Sequence, residues 1–222
     1  FSRTLDAGLR WVLLISVPSA VGLMLLAAPA IATLFLYGDF SVHDVDMAGL
    51  SLMAYSLGLP GFMLVKILAP GFYARQDTRT PVKVAVLALL ANMTLNIAFV
   101  VPWALSGAQG PHAGLALATA LAGYLNAGLL FHYLRAEAIY RPAPGWPRLL
   151  LQMLFAIAVM LVAVIWSMPD LPDWAALSGS QRVLWTGSLV ALGAASYLVS
   201  LRLAGLRLAV LRTPGAAAEH ES

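Results

Sequence analysis

Six apolar stretches, each at least 18 residues long and joined by short polar connections, decide what this chain can fold into. They cover residues 11–37, 48–73, 82–103, 112–134, 149–166 and 183–206. A helix needs about 20 apolar residues to cross the roughly 30 Å hydrocarbon layer of a bilayer. In lipid, backbone polar groups are satisfied only by helices or closed barrels. No period-two alternation supports a barrel here. The expected fold is therefore all-α, a polytopic membrane bundle of six transmembrane helices. The charge content agrees: 10% of residues are charged, against about 25% in soluble domains, too few to cover a water-facing surface.

The cations fall in alternate connections. Arg3 and Arg10 precede the first run, and Arg75, Arg79 and Lys83 lie at the turn after the second. Arg135, Arg141 and Arg148 join the fourth to the fifth, and Arg202, Arg207 and Arg212 close the sixth. The opposite connections hold Arg182 alone against Asp39, Asp44, Asp46, Asp170 and Asp173. By the positive-inside bias, both ends of the chain are expected in the cytoplasm. Cations spread over helix ends in this way do not form the basic face of a nucleic-acid binder. With no cysteine present, disulfides and thiolate metal sites are excluded. Phe1 to Arg10 is expected to be the tail of a preceding connection, in a chain that starts partway through a longer protein.

Few residues suggest chemistry. Pro18 and Pro29 are expected to interrupt the first span, and Pro60, flanked by Gly58 and Gly61, the second. Gly114, Ala118, Ala122 and Asn126 recur at spacing four and form a close-packing stripe. Lys66 is the one lysine set within an apolar run and not at its edge, about 10 Å of helix rise from the end of that run. It either faces a cavity or partner, or snorkels to the interface. No acid is expected inside any span to pair with it. Asn92 and Asn96 share a helix face, with Thr94 nearby; together with Asn126 they line a polar path or bond between helices. Lys66, Asn92, Asn96 and Asn126 are thus the substrate-path candidates. Asp39, His43, Asp44 and Asp46 are exposed loop charges before they are a metal site. No catalytic constellation, metal site or cofactor is expected, and so no enzyme.

The most specific stretch is the hairpin over residues 66–83, which carries Pro70, Gly71, Tyr73, Arg75, Asp77, Arg79, Pro81 and Lys83. It resembles the corresponding hairpin of the MurJ/MviN family, the lipid II flippases of the MOP exporter superfamily. Asp6 to Arg10, the Tyr37-Gly-Asp-Phe40 turn, Ala54 to Gly58 and Pro144-Gly-Trp146 are similar to family sequence as well. The resemblance implies a fourteen-helix protein of two six-helix lobes and an extra helix pair. Residues 1–135 would belong to the second lobe, 136–148 to a basic cytoplasmic connector, 149–206 to the C-terminal pair and 207–222 to a cytoplasmic tail. In the family the pair forms a groove for a lipid tail, and the essential cavity charges lie mainly in helices that match nothing in this chain. The implied substrate is lipid II in the bacterial inner membrane, with membrane lipid and the remaining helices of the same protein as partners. Another exporter of the superfamily, for drugs, cations or O-antigen, and a non-transporting scaffold of cell-wall synthesis are the other readings.

Overall fold

The computed structural model describes residues 1–105, 111–170, 174 and 176–206, without the side chains of residues 104 and 111. Asp173, Arg207, Arg212 and the tail from Thr213 fall outside that description. The described helices are α1 (Ser2–Leu25), α2 (Ala27–Phe35), α3 (Val42–Tyr73), α4 (Arg79–Leu105), α5 (Pro111–Ala136), α6 (Trp146–Ser167) and α7 (Gly179–Leu203). All except the short α2 are long and apolar enough to cross a bilayer. The protein is a multi-pass membrane bundle.

The first span departs from expectation at both ends. Helix α1 already begins at Ser2, so residues 2–10 are helix, not connection, and Asp6 is an acid inside a span. The break falls at Leu26, between α1 and α2. Pro29 explains it: proline lacks the N–H that would bond the carbonyl four residues back, at Leu25, and its ring crowds that carbonyl. Pro18 lies within α1 and Pro60 within α3, and neither ends its helix.

Helix starts are set locally. At α3, the Ser41 hydroxyl accepts from the Asp44 amide at 3.3 Å while the Asp44 carboxylate accepts from the Ser41 amide at 2.9 Å, a capping box. Asp44 is therefore part of a cap, and among the described residues no three metal-ligating side chains gather. Ser178 and Gln181 repeat the device at α7. Helix α6 starts after Gly145 with Pro147 in its first turn, where a missing N–H costs nothing.

Three helices end alike. Gln76, Ala138 and Gly205 close α3, α5 and α7 with φ of 60°, 55° and 81°. Each stop carries the paired bonds of a Schellman motif, for example Ala138 N–H to Arg135 and Ile139 N–H to Leu134. Only Gly205 suits that left-handed conformation without strain. Ala138→Gly and Gln76→Gly are each expected to raise stability by about 1 kcal/mol, read as a higher unfolding midpoint in detergent, whereas Gly205→Ala lowers it.

Helix α3 lies between α1 and α5, α4 packs on α5, and the α6–α7 hairpin rests on α1 and α2. At the α3–α5 crossing backbone meets backbone. A Cβ on Gly58 would sit 2.8 Å from the Ala120 Cα, and one on Gly61 3.0 Å from the Tyr124 nitrogen. The expected small-residue stripe begins on the other side of α5, with Gly114 against Phe99 of α4. The α3 contact instead uses Ala120, together with Gly123, which the sequence places beside that stripe and not on it. Gly61→Val must push rigid backbone aside and is expected to cost about 1–3 kcal/mol, measured by denaturant titration in micelles.

Helix ends segregate as alternating crossings require. Phe1 and Leu134 approach Gly71, Ser2 bonds Arg141, and Gln152 Nε2 donates to the Ala204 carbonyl at 2.7 Å. Arg3, Arg75, Arg79, Lys83, Arg135, Arg141, Arg148 and Arg202 are exposed at this end, called the basic end below. At the far end His112 reaches the Met47 carbonyl. Arg182, counted by charge pattern as a loop cation, is buried there instead. It donates to the Leu36 carbonyl at 2.8 Å and to the Trp174 carbonyl, stapling α7 to the end of α2.

Candidate functional site

Two apolar grooves and one buried polar cluster stand out. The first groove, about 540 Å³, runs between α1, α6 and α7, with Ile15, Pro18 and Gly22 on one wall and Met160, Gly193 and Leu198 opposite. Of its few polar side chains, Thr186 and Tyr197 are committed: the Thr186 and Thr33 hydroxyls lie 2.7 Å apart, and the Tyr197 hydroxyl donates to the Leu14 carbonyl at 2.8 Å. The exposed Ser19 also lines the wall. Gly22 opens the groove, since a Cβ there would meet nothing within 4 Å. Such a surface suits an extended apolar chain and offers a polar headgroup no charged anchor.

The second groove, about 590 Å³, lies near the basic end between α1, α3 and α5, closed on one side by the connector 142–147. That connector is held by the polar cluster. The Asp6 carboxylate, 4% exposed, accepts from Arg10 Nε at 2.7 Å, Tyr140 Oη at 2.7 Å, Trp146 Nε1 at 2.9 Å and the Ala143 amide at 3.1 Å. Arg10 donates to the Pro144 carbonyl at 2.9 Å, with its guanidinium 5.2 Å from the Trp146 ring centre. Burial and the bond to Asp6 push the Tyr140 hydroxyl well above its ordinary range, so it stays a donor. Arg10 is thus no loop cation; it neutralises Asp6 inside the protein. Sequence reasoning missed this clamp because it placed residues 1–10 outside the span. The acid and arginine four residues apart, on one helix face, were its available signal.

At the hairpin, Asp77 Oδ1 accepts from the Arg79 and Thr80 amides at 3.0 Å each and so starts α4. Hydrogen bonds from Thr80, hydroxyl and amide, hold its carboxyl below the usual range. Gly71 and Pro81 are buried, while Pro70, Tyr73, Arg75, Arg79 and Lys83 are exposed. The path candidates do not converge. Lys66 is exposed on α3 and lines neither groove. Asn96 Nδ2 donates to Asn92 Oδ1 at 3.2 Å along α4, while Asn126 is half-buried on α5 and bonded to neither. The buried Asn96 Oδ1 has no partner among the described residues.

Comparison with known proteins follows the same lines. The family model for lipid II flippase MurJ matches residues 1–178. A probable lipid II flippase MurJ of Vibrio cholerae is 40% identical over 212 residues, 96% of this chain and 39% of that protein. A lipid II flippase MurJ of Burkholderia cenocepacia is 40% identical over 214 residues, 96% of this chain and 40% of that one. Among solved structures, lipid II flippase MurJ in an inward closed conformation matches with a TM-score of 0.71 at 25% identity, covering 90% of this chain and 38% of that chain. The chain spans about two fifths of the length of the curated relatives it matches.

Proposed function

The chain belongs to the lipid II flippase MurJ family, and from that premise we propose that it forms the C-terminal part of a transporter carrying lipid II across the bacterial inner membrane by alternating access. Residues 1–135 supply four spans of the second lobe, 136–148 the connector, 149–206 the helix pair and 207–222 the tail. The polyprenyl tail of lipid II lies in the groove between α1, α6 and α7 while the pyrophosphate headgroup crosses through a cavity completed by the remaining helices. Lys66, Asn92, Asn96 and Asn126 face that path. No bond breaks when a headgroup crosses, so the role needs no catalytic group and no cofactor.

The observation that carries this reading is the groove itself: about 540 Å³, apolar, with no charged side chain on its wall and the Thr186 and Tyr197 hydroxyls bonded within the protein. A chain that holds a lipid tail without gripping it lets the tail slide as the headgroup moves. The test is a chimera in which this chain replaces the matching part of the Burkholderia cenocepacia protein, expressed in a flippase-depleted bacterium. Restored growth and lipid II export are expected. A folded, membrane-inserted chimera that restores neither would refute the proposal.

The basic end faces the cytoplasm in this reading. Because the chain has no cysteine, a single Arg79→Cys substitution gives a clean reporter. It is expected to react with an impermeant maleimide only after the inner membrane is permeabilised, whereas labelling of intact spheroplasts reverses the orientation.

A further inference from the structure

We propose that the second groove, between α1, α3, α5 and the connector, is a binding site for a bilayer glycerophospholipid, with one acyl chain in the groove and the phosphate on Arg3 and Arg141. The wall consists of Leu9 and Leu13, Leu64 and Leu68, and the α5 face from Tyr124 to Phe131. That α5 stretch spans about 10 Å of helix rise, a depth of roughly a third of the hydrocarbon layer. The polar side chains on the wall are Tyr124, Tyr140 and Trp146, and each is already spent inside the protein. Tyr124 donates to the Leu57 carbonyl at 2.7 Å, and the other two donate to Asp6. An occupant finds no open side-chain donor or acceptor there, which favours a hydrocarbon chain.

The mouth is of the opposite character. The Ser2 hydroxyl accepts from the Arg141 amide at 3.1 Å and lies 3.3 Å from its carbonyl, which draws the start of α1 and the connector to one corner. Arg3, next to Ser2, and Arg141 itself are both exposed and carry no ion pair among the described residues. Arg141 directly precedes Pro142 of the groove lining. Two exposed cations at the corner where the connector enters an apolar slot complement a phosphate carried on an acyl chain. The site is separate from the α1–α6–α7 groove and does not depend on the transport proposal.

Gly128 provides the test. It lines the groove, and a Cβ there meets nothing within 4 Å, so Gly128→Leu fills the slot without a backbone clash. The chain is placed in nanodiscs with phosphatidylglycerol that bears a diazirine at mid-chain, irradiated and mapped by peptide mass spectrometry. Adducts are expected on residues 64–68 and 124–131, at least fivefold fewer in Gly128→Leu, with adducts in the α6–α7 groove unchanged as the sign of an intact fold. The Arg3→Glu, Arg141→Glu double variant leaves the slot open and is expected to lower the same adducts severalfold, and it decides the question should Gly128→Leu not fold. Absence of adducts on these segments beside normal labelling at α6–α7 overturns the proposal, as does yield indifferent to the double variant. Displacement by equimolar unlabelled undecaprenyl phosphate but not by unlabelled phosphatidylglycerol also overturns it.

Discussion

Asp6→Ala is expected to be the most damaging single substitution in the described part of the chain. It removes the acceptor for four donors at once and strands Arg10, 7% exposed, without its counter-ion. Breaking a buried ion pair from one side typically costs about 3–5 kcal/mol, because an uncompensated charge is left in low dielectric. The connector loses its hold on α1 in the same step, so the second groove loses a wall. The double substitution Asp6→Ala, Arg10→Ala removes both charges and is expected to recover at least 1 kcal/mol relative to Asp6→Ala alone. Denaturant unfolding of the four members of this cycle in one detergent gives the coupling. A loss below 1 kcal/mol for Asp6→Ala would show that water or relaxation already screens the pair.

Gly22→Leu is expected to leave the fold intact and to cripple lipid handling. The position is open, so the new side chain extends into the α1–α6–α7 groove without displacing protein atoms. A leucine there excludes about three methylenes of a bound tail. At about 0.8 kcal/mol per buried methylene, the loss is roughly 2.4 kcal/mol, or about 50-fold weaker binding. In the chimera this is read as lipid II affinity and export rate, against an unchanged unfolding midpoint. Unaltered affinity with a normal fold would remove the groove from the transport path.

The six spans and their alternation were legible because both follow from local composition: apolar length sets a crossing, and exposed cations mark helix ends. The same counting failed at Arg10 and Arg182, where a charge near a helix end is buried and bonded, since a sequence position does not say which way a guanidinium turns. Asp6 was recognisable only with the helix start at Ser2, nine residues ahead of the purely apolar run; a paired acid and arginine extend a span that hydropathy alone cuts short. Pro29 could be read as a breaker and Pro60 could not. Proline ends a helix near a new start but is absorbed mid-helix, where neighbouring helices secure both flanks. The groove at the α6–α7 pair was expected only through the family resemblance and the second groove not at all, because both are spaces between helices distant in sequence. The open glycines at 22 and 128 that widen them differ from the packed ones at 58 and 61 only by tertiary contact.

The most direct test of the transport account places a diazirine-bearing amino acid at Leu198, an exposed position on the wall of the α1–α6–α7 groove, in the chimera. Irradiation with radiolabelled lipid II is expected to give a lipid II adduct that disappears when Gly22→Leu is added. Adducts to bilayer phospholipid alone, in a chimera that exports lipid II normally, would contradict the assignment of this groove to the substrate tail.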